Sequence, residues 1–129
     1  MGYCMQQAQA KFYIPESKHK LALEKLKELV KRPDRIAWVR AEDVLKAPHL
    51  SDAMEAFRWS VEHDDEGDIT SIHFDGEKAG DDKIFFDAIA EFVEGGSFIE
   101  MCGEDGARWR WIFFDGHVTE KNAVVSWDS

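Results

Sequence analysis

The chain has 129 residues, 44% hydrophobic and 33% charged, with a formal net charge of −10. That length fits one domain, residues 1–129, able to bury a core without metal or disulfides, and five Trp with nine Phe exclude a disordered chain. No apolar run reaches the roughly 18 residues that span a bilayer, and the acidic balance speaks against a phosphate-binding surface over the whole protein.

The opening "MGYCMQQAQAKFY" lacks a basic segment followed by an apolar one, so no secretory signal is expected. Gln6 stands where myristoylation at Gly2 wants Ser or Thr. Cys4 and Cys102 form no CxxC pair, and free thiols in a cytoplasmic protein are the expectation. Charge is unevenly spread. Residues 1–40 hold nine Lys or Arg against four Asp or Glu, and residues 41–129 hold seven against 22.

"AKFYIP", 10–15, reads as a first strand in which Phe12 and Ile14 alternate with Lys11 and Tyr13 before Pro15 stops it. "ESKHKLALEKLKELVKR" reads as a helix with Ser17 as N-cap and a stripe of Ala22, Leu26, Leu29 and Val30, with Leu23 at its edge. Pro33 ends it. Residues 33–57 read as an insertion: "RIAWVR" as a short strand, then "AEDVLKA" and "SDAMEAF" as two helical turns divided by Pro48.

From residue 58 the pattern clears. "RWSVEH" and "ITSIHF" flank the turn "DDEGD" and read as a hairpin. After the loop "DGEKAG", Asp81 or Asp82 is expected to cap a helix over 81–93 with Phe85, Ala88, Ile89 and Phe92 on one face and Gly95-Gly96 as its stop. "SFIEMC", "ARWRWIFF" and part of "HVTEKNAVVSW" follow as strands, joined by "GEDG" and "DG" hairpin signals. The order implies an α+β fold: a split βαββαβ, ferredoxin-like antiparallel sheet, with two main helices on one face, the insertion after the first helix, and one or two extra C-terminal strands.

Over 75–113, "DGEKAGDDKIFFDAIAEFVEGGSFIEMCGEDGARWRWIF" resembles small bacterial and phage-borne proteins of unassigned function that often begin "MGY" and carry "GEDG..WRW" near the end. The layout is similar to YubB-type ferredoxin-like domains. The resemblance implies the fold and a phage or mobile-element context, and it implies no catalytic residues.

Candidate chemistry centres on "RWRWIFF". On a strand, Trp109, Trp111 and Phe113 take one face, and Arg108, Arg110, Ile112 and Phe114 the other. A two-residue turn in "GEDG" would set Phe98, Glu100 and Cys102 with the Trp row, and Ile99 and Met101 with the Arg row. Which row is buried stays open. An exposed Trp–Trp–Phe stripe would suit a protein interface or a base-stacking surface; a buried one would leave Arg108 and Arg110 outside. Glu100, placed across from a Trp, is the one acid expected to have a raised pKa.

No metal site and no cofactor are expected. His63 and His73 bracket the acidic "DDEGD" turn, but pairing His63 with about Ile69 and His73 with about Trp59 separates them too far for one ion. The turn also lacks the full EF-hand spacing. No GxSxG, GxGxxG or P-loop appears. The favoured reading is therefore a non-enzymatic cytoplasmic binding module acting through protein–protein contact. Its contact candidates are Trp109, Trp111, Phe113, Arg108, Arg110 and Glu100, with the acidic turns at 64–68 and 75–82 as secondary surfaces. The alternatives are a small ligand-binding domain or enzyme with a pocket between sheet and insertion, using Glu100 or a His, and an acidic inhibitor of a nucleic-acid-binding host protein. An unidentified protein partner or a homodimer is expected, with neither membrane nor nucleic acid.

Overall fold

The structure, a computed structural model, describes residues 4–32, 39–76 and 82–122. Most of "RIAWVR", the "EKAG" part of the second loop, Asp81 and the tail beyond Asn122 lie outside the described residues, so those readings have no counterpart below.

β1 (Met5–Lys11) is followed by α1 (His19–Val30), α2 (Ala41–Leu45), α3 (Leu50–Ala56), β2 (Trp59–His63), β3 (Ile69–Phe74), α4 (Asp82–Ile89), β4 (Phe98–Gly103), β5 (Arg108–Phe114) and β6 (His117–Asn122). This is an α+β architecture with four α-helices among the described residues and two antiparallel sheets. One sheet has the order β1-β4-β5-β6; the other is the β2–β3 hairpin. No helix among the described residues is long and apolar enough to cross a membrane.

β1 begins earlier than the sequence suggests. Its ladder with β4 runs from Met5 opposite Gly103 to Lys11 opposite Phe98, with a bulge between Gln7 and Gln9. "MQQAQAK" shows no apolar alternation because a polar side chain serves its inner edge. The Gln7 amide donates to the Ile72 carbonyl at 2.9 Å and accepts from the Phe74 N–H at 2.8 Å. Those bonds, with paired backbone bonds between Ile14 and Ile69 at 3.0 and 2.9 Å, set β3 beside β1 and link the two sheets. Phe12 and Ile14 are buried as expected, but they follow the ladder rather than belong to it.

α1 buries the expected stripe of Ala22, Leu26, Leu29 and Val30. Ser17 is not its cap. A 3₁₀ turn, Glu16–Lys18, precedes the helix, Lys18 takes the cap position, and no side chain closes it. The insertion supplies α2 and α3 on either side of Pro48, and both pack on α1. α3 ends at Phe57, and Arg58 turns the chain into β2 with φ of 73°, a left-handed conformation common just past a helix end. α4 turns into a 3₁₀ segment at Ala90–Phe92 and ends there, so Gly95 and Gly96 shape the turn into β4 instead of stopping the helix.

The core is aromatic. Trp59, Phe12, Phe57, Phe85, Phe86 and Phe113 are all but fully buried. Phe86, outside the stripe read from the sequence, lies 5.0 Å from Trp59, 5.1 Å from Trp111 and 5.7 Å from Phe113. It joins α4 to both sheets. Asp82, at the start of α4, is buried and accepts the Trp59 indole N–H at 3.0 Å, consistent with the rule that buried polar groups find partners.

Candidate functional site

Strand β5 is sorted by its two turns. Asp115 and Gly116, with φ of 53° and 79°, form a two-residue connection of type I′ shape that pairs Phe114 with His117 and Phe113 with Val118. On the other side the connection from β4 is three residues long. The Gly103 N–H donates to the Ala107 carbonyl at 2.8 Å, the Gly106 N–H donates to Gly103 at 3.0 Å, and Gly106 sits at φ of 85°. This is a turn followed by a left-handed glycine. It shifts the register by one residue from the two-residue turn expected of "GEDG", and a shift of one exchanges faces.

The face partners are therefore the reverse of the sequence reading. Ile99 pairs with Trp111 and Met101 with Trp109, while Glu100 pairs with Arg110, Phe98 with Ile112 and Cys102 with Arg108. Ile99, Met101, Trp111 and Phe113 are buried. Of the six contact candidates, Trp111 and Phe113 are core residues and Trp109 is half-buried, 6.1 Å from Trp111. The Trp111 N–H donates to Glu120 at 2.9 Å at the core's rim. Arg108, Arg110 and Glu100 face outward.

Alternation already groups Ile112 and Phe114 with Arg108 and Arg110 on this outward face. The register brings Glu100 and Phe98 over from the Trp row, and adds Gln9 and Lys11 from β1 and His117, Thr119 and Lys121 from β6. Glu100 organises its centre. Arg110 Nε donates to Glu100 Oε1 at 2.7 Å, Arg108 Nη1 to Oε2 at 3.2 Å, and Gln9 Nε2 to Oε1 at 3.4 Å. Arg110 also lies 4.9 Å over the Phe98 ring, a cation–π contact. The Arg110 hydrogen bond, helped by Gln9 and the Arg108 charge, holds the Glu100 carboxyl below its ordinary pKa and outweighs its desolvation. This corrects the expected rise, which rested on a Trp neighbour that the register replaces with Arg110.

The face is a basic, partly apolar surface on an acidic molecule. Among the described residues, Lys11, Arg108, Arg110 and Lys121 stand against the single carboxylate of Glu100. Arg108 and Arg110 keep side-chain exposures of 58% and 45%. Between them, Ile112 and Lys121, a hollow of about 250 Å³ opens on the sheet. Phe114, 74% exposed, ends the row.

Two other regions were singled out by sequence. The "DDEGD" turn brings carboxylate oxygens of Asp64, Glu66 and Asp68 within 4.8 Å of one another. Two of these groups already serve the turn: Asp64 accepts the Glu66 and Asp68 N–H groups at 3.0 Å each, and Asp68 accepts the Glu16 N–H at 2.7 Å and the Tyr13 hydroxyl. The Tyr13 bond lowers the Asp68 pKa and, reciprocally, pushes Tyr13 up to about 12. His63 pairs with Ile69 as expected, but a bulge after Glu62 sets His73 opposite Ser60 instead of Trp59. Asp75, in the second acidic turn, lies 3.9 Å from His73.

A groove of about 540 Å³ lies between the start of α1, the Pro48–Ser51 stretch of the insertion and the β2–β3 hairpin. It lies between the hairpin and the insertion, where the ligand-binding alternative places a pocket, but Glu100 is not among its walls. Comparison with protein-family profiles, with curated proteins and with solved structures finds no match for this chain.

Proposed function

We propose that the protein is a non-enzymatic binding module whose open sheet face docks an extended, acidic segment of a protein partner. The observation that carries this reading is charge placement. On a chain of net charge −10, four cations and one anion among the described residues share the face that also presents Phe98, Ile112 and Phe114. Surfaces of this kind attract a partner of opposite sign and hold it by apolar contact. Arg108 and Arg110 project from one face of one strand two residues apart. An extended Glu-x-Glu segment repeats its carboxylates at the same spacing, roughly 7 Å. The Glu100 bridge fixes both guanidinium groups in advance, so less side-chain freedom is lost on docking.

The fold reading that accompanies this is ferredoxin-like. Its support is the placement of β1 between β4 and β3, with β5 and β6 continuing the sheet beyond β4. In that arrangement the face away from α1 and α4 is the one left for a partner.

Fluorescence anisotropy with a labelled peptide alternating Glu and Leu tests the proposal. Saturable binding that weakens with salt, and that disappears in the Arg108→Glu/Arg110→Glu variant, is the expected result. Equal binding by that variant would overturn it. So would preference for the Lys-Leu peptide or for a labelled dT oligonucleotide, or a wild-type dimer in sedimentation that the double variant dissociates.

A further inference from the structure

The groove beside the insertion gathers three imidazoles from three elements: His19 opens α1, His49 precedes α3, and His63 ends β2. We propose that His19, His49 and His63 form a site for a divalent transition-metal ion of the zinc class. The inference is independent of the sheet-face reading.

The first observation is how two of these rings are held. His19 Nε2 lies 3.0 Å from the Ile14 carbonyl oxygen. A carbonyl only accepts, so Nε2 carries the proton and Nδ1 of the neutral ring is left with its lone pair. His49 Nδ1 lies 3.4 Å from Asp52 Oδ2, and the same logic leaves Nε2 as its free donor atom. Metal-binding histidines are oriented in this way, one nitrogen giving its proton to a carbonyl or carboxylate and the other facing the ion.

The second observation is spacing. The His19 and His63 ring centroids are 5.9 Å apart, with planes at 65°. Two imidazoles on one zinc, with bonds of about 2 Å, place their centroids roughly 5 to 6 Å apart. His49 and Asp52 have side-chain exposures of 79% and 47%, so the two side chains can swing together and keep their contact while Nε2 approaches the other rings. His49 must do so to join the other two, since the three rings do not present their nitrogens within 4.8 Å of one another as they stand. Glu16 lines the same groove and offers an oxygen for a fourth position. Imidazole donors select zinc, nickel or copper, whereas the neighbouring Asp64, Glu66 and Asp68 offer oxygen alone and suit calcium. An ion at the histidines would tie the insertion to α1 and the hairpin, adding its binding energy to the stability of the fold.

The test is calorimetric titration of the EDTA-treated, tag-free full chain with zinc chloride. About one equivalent per chain is expected, with a zinc-dependent rise in Tm. His63→Ala and His49→Ala, both at exposed positions, should abolish the binding and the Tm rise while leaving the circular dichroism unchanged. Asp52→Asn, which removes only the orienting carboxylate, should weaken zinc roughly tenfold. His73→Ala, outside the groove, should bind as wild type. Absence of saturable heat overturns the proposal, as does unaltered binding by His63→Ala. Loss of zinc in Asp64→Asn together with equal affinity for calcium would place the ion on the acidic turn and overturn it as well.

Discussion

The two faces of strand β5 carry different kinds of information. On the inner face, Trp111 and Phe113 are 3% and 0% exposed and meet Phe86, Phe12 and Trp59 at ring separations of 5.1 to 6.0 Å. On the outer face, Arg108, Arg110 and Ile112 meet Glu100, Phe98 and Lys121, and all keep access to solvent. One heptapeptide thus supplies a row that holds the domain together and a row that the fold does not need. The large aromatics, which look like the recognition element in the sequence, belong to the first row, and the second is where chemistry with a partner can occur.

The comparison breaks most completely if the register is changed. Inserting one residue between Ala107 and Arg108 keeps the three-residue connection but moves every later residue of β5 by one, which exchanges the rows and sends Trp111 and Phe113 outward. The expected cost exceeds about 3 kcal/mol, enough to remove a cooperative thermal transition from a domain of this size. Trp111→Ala keeps the register and empties the inner row, with an expected loss of roughly 3–5 kcal/mol in urea unfolding and a wild-type affinity per folded molecule for the Glu-Leu peptide. Gly116→Ala forces a side chain into the left-handed turn that aligns β5 with β6, at a cost of roughly 1–2 kcal/mol. Arg110→Ala sharpens the contrast from the other side. Its effect on stability should stay below about 1 kcal/mol, as for exposed ion pairs, while peptide binding falls severely.

The acid limb of stability separates the regions further. Asp68 and Glu100 both have folded pKa values below their ordinary ones. Their contributions are therefore complete above the unfolded carboxylate pKa of about 4 and are lost as pH falls through the lower folded values. Asp68→Asn should flatten that fall in Tm without touching peptide binding. Glu100→Gln should flatten it and also loosen Arg108 and Arg110. Tyr13 has the opposite sign. Its hydroxyl is pushed up to about 12, so its contribution is complete below the unfolded value of about 10 and disappears as pH rises toward 12. Tyr13→Phe should remove that alkaline loss.

Much of the skeleton was legible because spacing determined it. The α1 stripe, the helix at Asp82–Ile89 and the Asp115–Gly116 turn all follow from periodicity or from a residue that tolerates positive φ. The start of β1 was not, because Gln7 replaces an apolar contact with two hydrogen bonds to β3, and such a partner lies 65 and 67 residues away. The outer face was half legible. Arg108 and Arg110 follow from alternation, but their neighbours depend on whether "GEDG" closes with two or three residues, and both fit the same letters. The histidine groove left no local signal at all: residues 19, 49 and 63 share no motif and are brought together only by the packing of α1, the insertion and the hairpin.

The account rests on the outer row of the sheet being the working surface, and an NMR titration of the ¹⁵N-labelled chain with the Glu-Leu peptide tests it most directly. Amide shifts concentrated at Phe98, Arg108, Arg110, Ile112 and Lys121, with α1 and α3 unmoved, are the predicted result. Shifts concentrated on α1 and the β2–β3 hairpin, or no saturable shift on β4, β5 and β6, would contradict it.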